Sequence, residues 1–333
     1  MLNIHASVMG DLRRVSGDYS VSPLLDLAQL AAHLELASVH CKWEGVRPLG
    51  SFKSLGGTYA ALQVAQRRRG QISQLICASD GNHGLAVALA ARHLNLPARV
   101  FVHAHVAIER IARITQLGAH VEIVPGTFDD AVAAAAALAA RDPKAALIPD
   151  TSEDPDDPVI GDVLAGYGVI GGEARMQFAQ AHAAPPTHIF IQAGVGGLAA
   201  SMAIQCASWL AAPGKIVVVE PQAAACVGAA LAAGVPTLVA GDLETSAAML
   251  SCGLASARAL RALQQVEAQA MTVSERELEQ APVMLERFAG LGTTPSGATG
   301  LAGLAATCGS ADLRTKFQLS TKSRVLLVIS EGR

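Results

Sequence analysis

The chain has 333 residues, of which 51% are hydrophobic and only 16% are charged, with a formal net charge of -3; globular domains usually carry roughly 25% charged residues. This composition excludes intrinsic disorder, and the absence of a dense Lys or Arg patch argues against a nucleic-acid partner. Because single cores stop growing near about 250 to 300 residues, we expect two domains.

Short apolar runs alternate with helical patterns along the chain, which is typical of parallel α/β sheets. Strands are predicted at residues 39–43, 74–78, 98–103, 120–124, 187–192 and 216–220. Helices are predicted within residues 50–69 and at 85–94, 108–117, 129–140, 159–183 and about 198–210. A polar loop at 151–157 separates two sets of these units, which predicts two open α/β layers with a cleft between them.

Two stretches, 176–214 and 221–241, contain no charged residue and resemble membrane spans at first sight. Pro and Gly interrupt both, whereas a spanning helix needs about 20 successive apolar residues. The first 14 residues lack the apolar run of a secretory signal, and the six Cys are scattered without a CxxC pair. We therefore expect a cytoplasmic protein with reduced thiols, no membrane contact and no metal site.

A glycine-rich loop follows the predicted strand 187–192 and opens a helix. Backbone N–H groups at such a helix start bind phosphate. With Ala199 the loop also matches the pattern GxGxxA, and Glu220 ends the next strand, which completes a dinucleotide fingerprint. Taken alone, this motif predicts an NAD-dependent oxidoreductase, and a plain structural turn is the other alternative. Its residues are Gly194, Val195, Gly196, Gly197 and Leu198.

Two further segments disagree with nicotinamide chemistry. The first, Ser51-Phe52-Lys53 followed by Gly56 and Gly57, places Lys53 at a helix start. The positive end of the helix dipole and apolar neighbours favour a neutral amine there, which can form a Schiff base. A solvated surface Lys is the alternative interpretation.

The second segment lies between a predicted strand and helix and reads Ser79-Asp80-Gly81-Asn82-His83-Gly84. Its polar side chains can cap the helix, while the glycines allow a ligand to approach closely. His83 is interpreted as a packed, hydrogen-bonded structural His.

These motifs, together with Ser296-Gly297-Ala298 and Ile329-Ser330-Glu331-Gly332, resemble those of the fold-type II pyridoxal phosphate (PLP) enzymes, which include tryptophan synthase β and the threonine dehydratases. The likeness is strongest to diaminopropionate ammonia-lyases and runs from about residue 23 to 332. It implies an α/β protein of two open twisted domains with PLP in the cleft between them. Residues 1–50 plus 160–333 would form the large PLP-binding domain, and 51–159 a small domain inserted in it.

The resemblance assigns each motif a role. Lys53 would be the Schiff-base lysine, Asn82 would bond the phenolic oxygen of PLP, and Ser330 would meet the pyridine nitrogen. A hydroxyl there does not enforce a protonated ring, which favours expulsion of a β-leaving group. The full set of cofactor contacts would be Phe52, Lys53, Asn82, Gly194, Val195, Gly196, Gly197, Leu198 and Ser330.

Two acidic residues point to the substrate. Asp80 is similar to the Asp that the ammonia-lyases carry at this position, where threonine dehydratases and cysteine synthases have a small residue. Asp150 resembles a second carboxylate of the ammonia-lyases. Both can bind an ammonium and exchange protons at the α-carbon. Without the resemblance, Asp150 would be interpreted as a capping or turn residue. Lys53, Asp80 and Asp150 are therefore the predicted catalytic residues.

The implied activity is α,β-elimination on 2,3-diaminopropionate, which gives pyruvate and ammonia through aminoacrylate. A serine or threonine dehydratase, a β-replacement synthase and a non-catalytic PLP-binding protein are the alternatives. The chain departs from the ammonia-lyases in its shorter length and in Thr294-Pro295, which replaces an acidic residue. A small amino-acid substrate and a homodimer are expected.

Overall fold

The computed structural model describes residues 2–15, 19–79 and 81–333, and elements are numbered below in chain order. The chain divides into two compact units. The first contains Met1–Ser20, Phe52–Asp150 and Asp157–Val169, and the second contains Val21–Ser51, Thr151–Asp156 and Ile170–Arg333. The assignment of a large PLP-binding domain and an inserted small domain stays a prediction.

The first unit is built on a parallel four-stranded sheet. Its strands are β3 (Gln74–Ala78), β4 (Ala98–His103), β5 (His120–Val124) and β6 (Ala145–Leu147), in the order β5-β4-β3-β6. Its helices are α1 (Leu2–Val15), α3 (Lys53–Arg67), α4 (Asn82–Leu94), α5 (Ile108–Gln116) and α6 (Phe128–Arg141). Helix α7 (Pro158–Gln180) has its first turns in this unit.

Local sequence explains these elements. Leu75, Ile76 and Cys77 in β3 are fully buried, as expected for a central parallel strand. Helix α6 is rich in Ala, and Thr127 and Asp130 cap its start by forming a reciprocal capping box.

The second unit contains a six-stranded sheet of order β1-β2-β10-β7-β8-β9. Only β1 runs antiparallel to its neighbour among the strands described. The strands are β1 (Leu24–Asp26), β2 (Ser38–Trp43), β7 (His188–Gln192), β8 (Lys215–Pro221), β9 (Gln269–Val273) and β10 (Arg324–Ile329). The helices are α2 (Ala28–His33), α8 (Gly197–Ala207), α9 (Cys226–Ala233), α10 (Ala257–Gln265), α11 (Glu275–Ala289), α12 (Pro295–Cys308) and α13 (Ala311–Phe317).

Helix α12 packs directly on this sheet through glycine. A Cβ atom at Gly300 would lie 2.7 Å from the carbonyl oxygen of Phe190 in β7, and one at Gly303 would lie 2.5 Å from Val219 in β8. Both distances are shorter than van der Waals contact, so larger residues would push the helix away from the sheet. The glycines therefore allow the close approach of α12.

A fully buried ionic cluster, which the sequence patterns did not reveal, lies in the second unit. Lys42, Arg47, Glu44 and Glu173 form it, and all four side chains are inaccessible to solvent. Glu173 lies 2.7 Å from Lys42 Nζ and 2.6 Å from Arg47 Nη2, and Arg47 Nε lies 2.7 Å from Glu44. Two cations face two anions, so the cluster is neutral overall.

The expected architecture of parallel strands alternating with helices is confirmed. Across the described part of the chain, no helix is both long and apolar enough to cross a membrane. The six cysteines are all free thiols, as expected from their spacing.

Candidate active site

Lys53 is the first residue of α3, and its amine faces a carboxylate. Its Nζ atom lies 2.9 Å from Oδ2 of Asp150, which follows β6. The two side chains retain 21% and 17% of their solvent exposure, so the pair is accessible from outside. The Nζ atom also lies 5.7 Å and 6.0 Å from the ring centroids of Phe52 and Tyr167.

The contact with Lys53 governs the ionisation of Asp150. Burial opposes ionisation of Asp150, but the charge of Lys53 and its hydrogen bond outweigh burial and lower the pKa of Asp150. The carboxylate is therefore ionised at neutral pH. The neutral amine expected at Lys53 from the helix dipole and apolar neighbours stays a prediction.

Tyr167, in α7, is a site residue that the sequence interpretation missed. A Cβ atom at Gly56 would overlap its ring, and one at Gly166 would lie 2.7 Å from Gly56 Cα. Two glycines thus let α3 and α7 approach closely enough to seat this ring beside Lys53. Burial raises the pKa of Tyr167 to about 12, so its hydroxyl stays protonated. The flanking glycines of Gly166-Tyr167-Gly168 were the available signal.

The segment before α4 is held by hydrogen bonds to the side chain of Ser79. The Ser79 hydroxyl accepts hydrogen bonds from the N–H groups of Gly81 and Gly84, at 3.0 Å and 2.8 Å. Asn82 is the first residue of α4. Asp80 lies outside the described residues. Capping, the simpler interpretation of this polar turn, is therefore present at Ser79.

His83 is buried, and its Nε2–H donates to the carbonyl oxygen of Ile148 at 2.8 Å. Burial lowers its pKa, so the ring is neutral near pH 7. Ile148 is two residues before Asp150, and this hydrogen bond ties the segment that carries the carboxylate to α4. His83 is thus packed and hydrogen-bonded, as the sequence interpretation proposed.

In the second unit, β7 leads through the glycine loop into α8. Gly196 has a φ of 95°, a left-handed conformation that favours glycine. A Cβ atom at Gly194 would lie 3.1 Å from Cys252 Sγ, and one at Gly196 would lie 3.1 Å from Val227. The first N–H groups of a helix have no partner within it, so the start of α8 offers donors to an anion.

Ser330 follows β10 in the same unit and is nearly buried. Its N–H donates to the carbonyl oxygen of Gly297 at 3.3 Å. Thr294 caps α12 and donates its hydroxyl to the carboxylate of Glu331 at 2.5 Å.

Glu220 explains why the dinucleotide pattern was misleading. Its carboxylate accepts hydrogen bonds from the N–H groups of Val227 and Gly228, both at 2.7 Å, and caps the start of α9. The side chain is fully buried, and burial raises its pKa to about 7. A ribose has no access to a carboxylate used in this way. Among the described residues there is also no cluster of His, Cys, Asp and Glu suited to a metal ion.

Comparison with known proteins decides between the cofactors. A family model described as pyridoxal-phosphate dependent enzyme matches residues 15–331. The chain belongs to this family. The predicted fold class and PLP cofactor are thereby confirmed, and the alternative of an NAD-dependent oxidoreductase is wrong.

Two relatives are similar to this chain in sequence. The PLP enzyme described here is 34% identical over 260 residues to the diaminopropionate ammonia-lyase of Salmonella typhimurium, covering 71% of this chain and 64% of that protein. It is 32% identical over 298 residues to a biosynthetic L-threonine dehydratase of Haemophilus influenzae, covering 87% and 53%. The chain therefore spans 53% to 64% of the length of these two curated relatives.

Solved structures agree with this placement. The diaminopropionate ammonia-lyase of Escherichia coli, in complex with a reaction intermediate, matches with a TM-score of 0.87 and 26% identity, covering 98% of this chain and 88% of that one. The processed form of a threonine deaminase from Solanum lycopersicum matches with a TM-score of 0.82 and 25% identity, covering 100% and 89%.

The residues present fit PLP. The start of α8 offers backbone donors for a phosphate, Lys53 offers an accessible amine, and Ser330 offers a hydroxyl. Each requirement of the cofactor thus has a candidate residue in this chain.

Proposed function

We propose that the protein is a PLP-dependent ammonia-lyase that catalyses α,β-elimination on 2,3-diaminopropionate and forms pyruvate and ammonia. The observation that carries this proposal is the accessible pair of Lys53 and Asp150, 2.9 Å apart. An ionised carboxylate beside the reactive amine suits a substrate that brings a second ammonium group. The 34% identity to a diaminopropionate ammonia-lyase supports the same substrate.

The residues of the site would have different roles in the reaction. Lys53 Nζ, once it is no longer protonated, removes the proton from the α-carbon. Asp150 binds the β-ammonium of the substrate, and that positive charge replaces the charge of Lys53 beside the carboxylate. Asp80 is the proposed base for the opposite stereoisomer. Tyr167, a neutral hydroxyl beside Lys53, limits the positions that the amine can adopt.

The cofactor would be held at both ends. When bound, PLP supplies an electron sink that stabilises the charge left at the α-carbon after proton removal. The loop from Gly194 to Leu198 would hold the phosphate, Phe52 and Asn82 would contact the ring, and Ser330 would meet the ring nitrogen. Since a serine hydroxyl does not enforce a charged ring, expulsion of the β-group is favoured over a long-lived carbanion.

A dehydratase acting on serine or threonine is the second candidate. It is favoured by the 32% identity to L-threonine dehydratase, which extends over more of this chain than the ammonia-lyase match does. The same residues would serve an oxygen leaving group, and a β-replacement synthase would use them on O-acetylserine.

The test measures the keto acid released from each candidate substrate in separate assays: pyruvate from both enantiomers of diaminopropionate, from serine and from O-acetylserine, and 2-oxobutyrate from threonine. We expect diaminopropionate to give the highest kcat/KM. Asp150→Asn should reduce that value by at least tenfold, whereas Asp312→Asn, which changes an exposed aspartate on α13, should leave it unchanged.

Lys53→Ala should remove the visible absorption band of the bound cofactor. Faster release of pyruvate from serine, or of 2-oxobutyrate from threonine, would replace the first proposal with the dehydratase. A coloured protein that turns over none of these substrates would contradict both candidates.

The cytoplasmic location, the small amino-acid substrate and the homodimer remain predictions. Gel filtration of the holoenzyme, with light scattering, tests the homodimer directly.

A further inference from the structure

Gln192 is a buried amide at the entrance to the glycine loop. It is the last residue of β7, retains 2% of its solvent exposure and precedes Gly194 by two residues. Its Nε2 group donates to two carbonyl oxygens, those of Gly297 at 3.1 Å and Val328 at 3.0 Å. Both N–H groups of this side chain therefore donate to backbone carbonyl oxygens.

One of the two carbonyls belongs to the strand that leads to Ser330, and the other accepts a hydrogen bond from Ser330. Val328 lies in β10, two residues before Ser330, and Gly297 lies in the first turn of α12. The N–H of Ser330 donates to that same Gly297 oxygen at 3.3 Å. Gln192 thus joins the strand that enters the glycine loop to the strand that ends at Ser330.

Only a primary amide suits this position among side chains of its size. A glutamate would direct carboxylate oxygens at two carbonyl oxygens, and an apolar side chain would remove both donors from a dry site. The other amide atom, Oε1, is buried and has no hydrogen-bond partner among the described residues. It lies 3.1 Å from where a Cβ at Gly300 would be, so α12 covers it closely.

We propose that Gln192 is a positioning residue that fixes the distance between the phosphate-binding loop and Ser330, and thereby sets the affinity for PLP. The inference rests on the proposed roles of that loop and of Ser330, but it does not depend on the substrate. A ligand held at two points gains affinity only when the spacing of the two points matches it. Loss of the hydrogen bonds of Gln192 should therefore reduce the affinity that PLP gains from being bound at both its phosphate and its ring nitrogen.

The experiment compares PLP with pyridoxal, which lacks the phosphate, by titrating each into the cofactor-free protein and following absorbance. Gln192→Glu should weaken PLP binding at least tenfold while changing pyridoxal binding less than threefold. Gln192→Met removes both donors without adding charge, and it keeps the test decisive if the glutamate variant does not fold. Gln264→Glu is the matched control, because Gln264 is exposed and donates to the backbone of Gly234 in the same unit.

The outcomes separate the possibilities. Unchanged PLP affinity in a folded variant would overturn the inference, and so would an equal loss for PLP and pyridoxal, since that result indicates general damage. Selective loss for PLP in a protein that does not act on diaminopropionate would uphold the role of Gln192 and reject the proposed substrate.

Discussion

Replacing Glu173 by Gln removes one charge from the buried ionic cluster while keeping the size of the side chain. Glu173 contacts Lys42 and Arg47 at 2.7 Å and 2.6 Å and has no solvent exposure. Burial opposes ionisation of this carboxyl, but Arg47 and Lys42 outweigh burial and lower its pKa. In the variant, two buried cations face the single anion Glu44.

The magnitude follows from these contacts. At an effective dielectric constant of about 20, unit charges at such distances attract by roughly 6 kcal/mol. The variant no longer has the free-energy cost of burying a carboxylate, and this offsets part of the lost attraction. Removing one partner of a buried ion pair typically costs about 3–5 kcal/mol. We therefore expect Glu173→Gln to lower the free energy of unfolding by about 3–5 kcal/mol.

Urea unfolding of the holoenzyme at fixed PLP concentration measures this loss. Glu279→Gln, on an exposed face of α11, is the control and should change stability by less than about 0.5 kcal/mol. Adding Lys42→Met to Glu173→Gln restores neutrality and should recover at least about 1 kcal/mol. A loss below about 1 kcal/mol for Glu173→Gln, or no recovery in the double variant, would refute the electrostatic reasoning.

Three further results are expected. Gly56→Ala places a methyl group in the ring of Tyr167 and should lower the unfolding free energy by about 1–3 kcal/mol by calorimetry; an unchanged Tm contradicts this. The pKa of Glu220 in the folded protein is raised from 4.5 to about 7. The folded protein therefore binds more protons at this group than the unfolded chain does, and it loses stability as the pH rises between those values. We therefore expect the unfolding free energy of Glu220→Gln, relative to that of the wild type, to be about 2–3 kcal/mol higher at pH 8 than at pH 5 in urea unfolding. Parallel pH profiles of the two proteins would refute this reasoning. His83→Leu removes the donor that holds the segment before Asp150, and should reduce kcat/KM about tenfold without changing PLP affinity. His83→Gln, which keeps an N–H donor, should recover most activity, and equal loss in both variants would exclude this role.

Local patterns predicted β2, β3, β4, β5, β7 and β8, but they did not predict β1, β6, β9 or β10. The predicted strands 74–78, 98–103 and 120–124 match the observed bounds, since each is a short run rich in apolar residues, although no residue of 120–124 is fully buried. Helix α4 begins at Asn82, three residues before the predicted start, because glycines and polar residues in its first turn weaken the periodic signal. Strand β1, only three residues long, gave no pattern to recognise.

Contacts between distant segments could not be derived from spacing. Lys53 and Asp150 are individually ordinary charged residues, and only the folded chain brings their side chains together. The same is true of Lys42 with Glu173, whose burial no hydropathy pattern indicates. Glu220 was misleading because a strand-end carboxylate can serve either a ribose or a helix start, and its partners at Val227 and Gly228 depend on the fold of α9.

The position of β10 has a consequence for biosynthesis. Ser38 in β2 pairs with Arg324 in β10, and β10 also pairs with β7, whereas the strands of the smaller sheet all lie between Gln74 and Leu147. During translation the smaller sheet has all of its strands early, while one edge of β2 stays unpaired until β10 leaves the ribosome. Since open strand edges recruit other chains, nascent chains that end between these two strands are the form most in need of chaperones.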